Sequence, residues 1–246
     1  MTHGPDTDKL LRRISQTTRD SLYLSNLGGN TEYDLNITSL PSLPDSLKLL
    51  HINTLDITSL PTLPSALEDL RITASPVTAL PSLPSNLLRL YSTITQLTEL
   101  PQLPSTLESL GCILNIGITQ LPQLPSSLKR LCCGWTSITE LPQLPDSLEV
   151  LCCGSTPITE LPSLPPSLIE LDCSDCPNLL IQRNEGESIQ DYGKRWDDIR
   201  EERKELESKQ RCVERCLSVK EELMAAAWHP NRVERWLEIG GFEMLD

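Results

Sequence analysis

Cysteine is the residue type whose spacing in this sequence could support chemistry. The chain has nine cysteines, and most of them lie in the groups Cys132-Cys133, Cys152-Cys153 and Cys173-Ser-Asp-Cys176. Zinc prefers four tetrahedral ligands with thiolate or imidazole donors. Adjacent residues of a strand point to opposite faces, so each adjacent pair would send one thiol inward and one outward. Because two or three thiols at most converge on either face, we predict no metal site and no cofactor.

Catalytic groupings of other residues are also missing from the sequence. The histidines, His3, His51 and His229, have no serine, cysteine or aspartate at a recognisable catalytic spacing, and no glycine-rich phosphate loop occurs. An odd number of cysteines with adjacent pairs does not resemble an extracellular disulfide framework. The first residues, Met1 to Arg13, lack the apolar run of a signal peptide, and no segment approaches a membrane span. We therefore expect a cytoplasmic protein that is not an enzyme and does not enter a membrane.

The cysteine pairs belong to a repeat that covers the middle of the chain. The repeat has a period of twenty residues with one step of twenty-one, and each copy contains Leu-x-x-Leu followed, two residues on, by an apolar residue or cysteine. Self-similarity at this period is typical of a leucine-rich repeat solenoid, in which each coil buries its apolar face only by stacking on its neighbours. The copies of Leu-Pro-x-Leu-Pro begin at Leu40, Leu60, Leu80, Leu100, Leu121, Leu141 and Leu161.

The residue pattern within a copy predicts the path of each coil. Leu70 and Ile72 alternate with polar residues, as in a strand whose apolar side chains turn inward. Proline fixes φ and lacks an N–H, so the Leu-Pro-x-Leu-Pro segment should be extended and polyproline-like. The predicted fold class is an α/β solenoid of 20-residue leucine-rich repeats, with a parallel β-sheet on the concave face and an extended outer side.

Three regions follow from the limits of the repeat. Residues 1–36 should form an N-terminal capping region that includes a helix from about Asp6 to Ile14, and residues 37–176 the solenoid. Residues 177–246 should form an α-helical cap or tail, because their apolar residues recur at three- and four-residue steps. Those steps fit either one long helix or two helices broken near Gln210. The apolar stripe either covers the last coil or pairs with another chain.

Side chains on the outer face of the strands are not needed for the core and are free to recognise a partner. Aromatic anchors surrounded by arginines are typical of interaction hot spots. Alternatively, Ile113 and Leu114 fold into a loop created by the extra residue after Asn115, and Trp135 lies against a neighbouring coil. The predicted binding residues for a protein partner are Arg71, Arg89, Tyr91, Ile94, Ile113, Leu114, Arg130 and Trp135.

The charge balance argues against one class of partner. The chain carries 34 Asp+Glu against 21 Lys+Arg, a net charge of −13. Such an acidic chain is poorly suited to contact a phosphate backbone, so we expect no nucleic-acid partner.

Two resemblances to known families add to this interpretation. The block from Leu141 to Leu151 resembles the short repeats of secreted bacterial leucine-rich repeat effectors, a group that includes ubiquitin ligases of a novel type. Those ligases use a cysteine followed two residues later by aspartate, as in Cys173-Ser174-Asp175. Here, however, Cys173 falls on an inward strand position, where burial raises the pKa of a thiol and leaves it inert. The residues after it are also too few for the catalytic domain of that family.

The C-terminal segment Ala227 to Gly240 resembles the tails of predicted proteins of giant DNA viruses of amoebae. This resemblance implies a protein of the host cytoplasm or of the virion.

We predict a non-enzymatic scaffold that binds a protein partner on the concave strand face, as an effector-like or viral host-interaction protein. The alternative is a structural or virion-associated protein that oligomerises through its C-terminal helices. A ligase-like effector is the third hypothesis.

Overall fold

The computed structural model describes residues 20–25 and 38–227. The predicted helix from Asp6 to Ile14 and nearly all of the segment with the viral resemblance lie outside these residues. The elements are β1 (Ser21–Ser25), β2 (Leu49–Asn53), β3 (Asp69–Thr73), β4 (Arg89–Thr93), β5 (Ser109–Gly111), β6 (Arg130–Cys132), β7 (Val150–Cys152), β8 (Glu170–Asp172) and α1 (Ile189–Ala227).

The strands form one parallel sheet in which the spatial order follows the chain, β1 to β8. Neighbouring strands pair in register at the spacing of the repeat, so Leu50 lies opposite Leu70 and Leu70 opposite Leu90. A one-residue slip would turn every inward leucine to solvent, which is why the repeat specifies this register so strongly. These pairings confirm the predicted leucine-rich repeat solenoid. The single buried column comprises Leu50, Leu70, Leu90, Leu110, Leu131, Leu151 and Leu171.

The outer side of each coil is extended and then turns back toward the next strand. No helix occurs on this side in residues 38–188, as the prolines predict. The second proline of each Leu-Pro-x-Leu-Pro segment accepts a hydrogen bond that closes a tight turn, as from Leu67 N–H to Pro64 O at 3.1 Å. The same turn recurs at Leu47, Leu87, Leu107, Leu128, Leu148 and Leu168.

Hydroxyl groups join the outer turns of successive coils. The Ser127 hydroxyl lies 2.8 Å from Ser105 O and 2.7 Å from Leu107 O, so it donates to a carbonyl of the preceding coil. These bonds explain the serine or threonine that precedes the leucine of the tight turn, such as Leu128, in most copies. Equivalent hydroxyls are those of Thr106, Ser147 and Ser167.

The last coil is covered by the start of α1. Ser188 caps the helix, because Asp191 N–H donates to Ser188 Oγ at 3.1 Å. Tyr192 and Trp196 are fully buried, and the Tyr192 hydroxyl donates to Ile181 O at 2.8 Å. The cap therefore consists of the first two turns of one helix.

A boundary between two compact units falls between Trp196 and Asp197. In the second unit, α1 continues without a break through Gln210, so of the two patterns that the sequence allowed, the single helix is the one observed. Its apolar residues Leu206, Val213 and Leu217 are exposed. Within the described residues, no helix combines the length and apolar character that a membrane span requires.

Candidate functional site

We define the strand face as the outward-facing side chains of β1–β8, the equivalent residues just after the shorter strands, such as Ile113 and Gly134, and the residue that follows at the turn of the coil. The predicted binding residues lie on this face, and the structure divides seven of them into two groups and leaves Ile113 apart. Arg71, Arg89, Tyr91 and Arg130 are strand residues, whereas Ile94, Leu114 and Trp135 occupy the turn.

The carboxylate of Asp69 organises the first group. Arg71 donates to it through Nε at 3.0 Å and Nη2 at 3.1 Å, and Arg89 donates through Nε at 2.6 Å. Asp69 is 2% exposed, so the two guanidinium groups cover it. Burial alone would raise the pKa of Asp69, but the hydrogen bonds and charges of Arg71 and Arg89 outweigh burial and hold the pKa below its usual value. The carboxylate therefore fixes both arginines in place while leaving their outer nitrogens accessible.

Asp69 belongs to the candidate site through its bonds to Arg71 and Arg89, although it was not among the predicted residues. Its position beside Arg89 on the next strand and two residues before Arg71 was visible in the repeat spacing. The sequence alone does not reveal the pairing, because a strand carboxylate between two arginines can also be fully solvated. Burial of the carboxylate distinguishes the paired state from the solvated one.

Arg71 also connects this group to Tyr91. Its guanidinium carbon lies 5.3 Å from the centroid of the Tyr91 ring, a cation–π contact. The ring in turn leans over Gly111, since a Cβ added there would lie 2.6 Å from Tyr91 Cδ1. Glycine at 111 thus makes room for the ring, and Tyr91 is half-buried between Arg71 and the next strand.

The second group shares an unusual backbone conformation. Ile94, Leu114 and Trp135 have φ values of 55°, 59° and 56°, in the left-handed region that side chains with a Cβ rarely adopt. The same conformation recurs at Thr54, Ala74, Ser155 and Asp175, that is, in every coil from β2 to β8, so the fold imposes it. It turns the chain from the strand to the outer side and keeps the coils joined, as in the 3.1 Å bond from Trp135 N–H to Gly154 O.

Large apolar side chains at this strained position are exposed on three consecutive coils. Ile94 is 52% exposed, Leu114 41% and Trp135 59%. Ile113 differs from them, because it is half-buried at the start of the turn. The structure thus separates Ile113 from the exposed row. We call Ile94, Leu114 and Trp135 the apolar row.

The extra residue of the repeat lies where the sequence placed it. After Asn115 the chain makes an additional turn at Ile116 and Gly117, closed by the bond from Ile118 N–H to Asn115 O at 3.1 Å. Ile116 is 79% exposed and was not among the predicted residues. Asn115 itself is buried, and its Nδ2 donates to Ser92 O of the preceding coil at 2.8 Å and to Cys112 O at 3.0 Å.

Small polar groups occupy the position of Asn115 in other coils. The Ser75 hydroxyl accepts from Leu55 N–H of the preceding coil at 3.3 Å, and the Cys176 thiol donates to Cys153 O of the preceding coil at 3.3 Å. Thr136 and Thr156 instead donate to the carbonyl three residues earlier in their own coil, Cys133 O and Cys153 O. These two hydroxyls therefore stabilise the turn of their own coil.

The cysteines alternate across the sheet as their spacing predicts. Cys133, Cys153 and Cys173 are buried in the core, whereas Cys132 and Cys152 lie half-buried opposite each other on β6 and β7. Burial raises the pKa of the Cys152 thiol to about 12 and also raises the pKa of Cys132. Thiols held protonated in this way are poor nucleophiles and poor metal ligands.

Cys173, the residue that matches the ligase motif, is 6% exposed. Burial raises its pKa, although a hydrogen bond with Tyr192 partly opposes the shift. Within the described part of the chain, no three histidine, cysteine, aspartate or glutamate side chains come together as a metal site would require.

Small residues form the part of the strand face that follows Tyr91. Gly111, Cys132, Gly134, Cys152 and Gly154 succeed one another over β5–β7. A Cβ on Gly134 would lie 2.9 Å from Gly154 O, so the close approach of the coils requires glycine there. The side chains along this middle row are consequently short between Tyr91 and the acidic residues of the last coil, so the surface is recessed there. Those acidic residues are Glu170, Asp172 and Asp175.

Comparison with solved structures finds leucine-rich repeat effectors. YopM from Yersinia enterocolitica matches with a TM-score of 0.54 and 37% identity, over 56% of this chain and 31% of that chain. The leucine-rich repeat domain of a Shigella effector matches with a TM-score of 0.53 and 29% identity, over 64% of this chain and 68% of that domain. YopM from Yersinia pestis, described as a leucine-rich effector protein, matches with a TM-score of 0.54 and 27% identity, over 69% of this chain and 53% of that chain.

This chain spans less than two thirds of either YopM chain. No protein-family model and no curated protein matches it. The shared fold and the level of identity make it a leucine-rich repeat solenoid similar to those of bacterial effector proteins.

Proposed function

We propose that the chain is a non-enzymatic scaffold that binds a protein partner on its strand face. The observation that carries this proposal is the apolar row. Its three large side chains are exposed at a strained backbone position on consecutive coils, whereas the coils on either side carry Ala74 and Ser155 there. An exposed apolar residue in the left-handed region adds little to the core and costs backbone energy, and such features concentrate at functional sites.

The rest of the face supports rapid, pre-organised recognition. The in-register sheet and the hydroxyl bonds between coils hold the backbone, and Asp69 holds Arg71 and Arg89. Because this surface is already ordered, little conformational entropy of its backbone and arginines is lost when a partner docks. Trp135 and Tyr91 would act as anchors and the arginines would supply directional contacts, as in other hot spots.

A binding role fits the buried cysteines better than catalysis does. Five core thiols pack as small apolar groups, at Cys112, Cys133, Cys153, Cys173 and Cys176. Their oxidation would introduce polar groups into the core, so the proposed compartment is a reducing one, the cytoplasm of a host cell. Fractionation of expressing cells tests this placement, and recovery of the chain only from an oxidising compartment would contradict it.

One observation favours a second candidate function, assembly through α1. Leu206, Val213 and Leu217 are 68%, 57% and 53% exposed, and Leu206 and Val213 are seven residues apart. A helix pair would bury such residues. Light scattering of the full chain and of Leu206→Glu distinguishes the candidates, because assembly requires an oligomer that the substitution dissociates. The virion association implied by the tail resemblance belongs to this second proposal.

A variant comparison tests the scaffold proposal. Wild type, Trp135→Ala and the control Leu180→Ala are each used to capture proteins from the cells in which the chain acts. Leu180 is 52% exposed and lies outside the strand face. The proposal predicts a protein that wild type and the control retain and Trp135→Ala loses, with the melting temperature of Trp135→Ala lowered by no more than a few degrees. Equal retention by all three would refute it.

A further inference from the structure

The arrangement of apolar and cationic side chains on the strand face indicates what kind of segment it accepts. We propose that the partner contributes an amphipathic α-helix, which lies along the direction of coil stacking with its apolar stripe on the apolar row. Acidic residues on one flank of this helix contact Arg89 and Arg130. This inference rests on the proposed function and specifies the partner of the same site.

Spacing along the apolar row distinguishes a helix from an extended chain. Backbone bonds hold successive members at the spacing of the sheet, through Ile94 N–H to Ile113 O at 3.3 Å and Leu114 N–H to Gly134 O at 3.1 Å. Neighbouring strands are about 4.8 Å apart, so the three side chains span about 9.6 Å. Two helical turns advance about 10.8 Å, whereas four residues of extended chain advance about 13.2 Å. A helix therefore stays within about 1.2 Å of the row and an extended chain does not.

The small residues beside the apolar row allow a helix to approach. Gly111, Gly134 and Gly154 have no side chain, and Cys132 and Cys152 are short and half-buried. Tyr91 rises at one end of this low region, where its ring covers Gly111. Along each coil, five residues separate Arg89 from Ile94 and Arg130 from Trp135, a distance of at most about 16 Å. A helix about 10–12 Å wide fits between the two margins.

The arginines identify the charge of the helix flank. Arg130 is exposed and, in the part of the chain that the structure describes, has no carboxylate partner. Arg89 uses only Nε toward Asp69, and its side chain is 40% exposed. β4 and β6 are two strands apart, about 9.6 Å, and residues seven apart on a helix are about 10.5 Å apart. Two acidic residues at that interval would reach both arginines.

Selection of peptides tests this inference while the identity of the partner is still open. A phage library of random 18-residue peptides is selected on the full chain, and enriched peptides are synthesised. Their affinity is measured for wild type, Ile94→Asn and Arg130→Glu, and their helicity by circular dichroism on binding. Leu180→Asn and Arg211→Glu are the matched controls, since Leu180 is as exposed as Ile94 and Arg211 lies on α1.

The inference predicts peptides with apolar residues at helical spacing and acidic residues seven apart, which become helical when bound. Arg130→Glu should weaken their binding about tenfold, because an attractive ion pair becomes a repulsion of similar size. The controls should change the affinity less than about twofold, which is under about 0.5 kcal/mol. Replacing only the acidic residue that faces position 130 by lysine should restore binding to Arg130→Glu, because the other acidic residue keeps its contact with Arg89.

Two outcomes would contradict the inference in distinguishable ways. Peptides that lose binding to Ile94→Asn but are extended, proline-containing or basic would overturn the helix and leave the proposed function standing. Peptides that bind Ile94→Asn and Arg130→Glu as they bind wild type, or the absence of any enrichment, would overturn both.

Discussion

Replacing Ile94 by asparagine should abolish partner binding at almost no cost in stability. Full burial of an isoleucine side chain stabilises by about 1.5–3 kcal/mol, and Ile94 is 52% exposed, so its buried half contributes about 0.7–1.4 kcal/mol. Against this, the left-handed backbone at φ 55° costs a residue with a Cβ roughly 1–2 kcal/mol, and asparagine enters that region far more readily. The two effects nearly cancel, and the free energy of unfolding should change by less than about 1 kcal/mol.

Urea unfolding followed by circular dichroism measures this change directly. Ala74→Asn is the matched control for the backbone effect, because Ala74 has the same conformation, with φ 49°, and little side chain to lose. It should gain up to about 1 kcal/mol. Leu90→Ala marks the opposite case, since Leu90 is fully buried and its truncation should cost about 2–5 kcal/mol. A loss of more than about 2 kcal/mol for Ile94→Asn would make Ile94 a core residue and refute its assignment to a binding surface.

The remaining predictions concern the groups that hold the face together. Asp69→Asn should lower the free energy of unfolding by about 1–3 kcal/mol at pH 7. Because the pKa of Asp69 in the folded protein lies below its ordinary 3.8, the carboxylate stabilises the fold above that pH, and this stabilisation is lost as the pH falls below it. The urea midpoints of wild type and variant should therefore converge at low pH, and a constant gap would contradict the pairing. Asn115→Ala should lower the free energy of unfolding by about 2–4 kcal/mol, because it leaves the buried carbonyl of Ser92 and the half-buried N–H of Thr95 unbonded. Asn115→Thr, which copies the residue of the next coil, should lose clearly less, and equal losses would argue against the amide bonds. Iodoacetamide at pH 8 should label the exposed Cys212 well before Cys112 and Cys152. Burial raises the pKa of both slower thiols to about 12, so they stay protonated at this pH. Peptide mapping by mass spectrometry measures the rates, and equal labelling of Cys152 and Cys212 would contradict the protonated state of Cys152.

The solenoid could be derived from the sequence because its information is periodic. Neighbouring copies of the repeat have an inward residue at the positions equivalent to Leu70 and Ile72. Only one strand register places all of these inward residues in a common core. The prolines at fixed positions exclude a helix from the outer side by their covalent geometry. The same periodicity located the extra residue after Asn115.

The detail of the candidate site could not be derived in the same way. The left-handed conformation is carried by Ile94, Leu114 and Trp135 as well as by small residues, and in the coils from β2 to β8 no glycine or asparagine stands there to indicate it. The fold imposes that conformation, so residue preference does not reveal it. The role of Asp69 likewise depends on burial beneath two arginines, which the spacing of charges does not specify.

Photo-crosslinking tests the central claim, that the strand face is the binding surface, most directly. A benzophenone amino acid is introduced at Thr93 on the strand face or at Ser126 on the outer turn, and each protein is irradiated with the selected peptide or the captured partner. We expect efficient crosslinking from position 93 and only background from position 126. Crosslinking from position 126 with none from position 93 would contradict it.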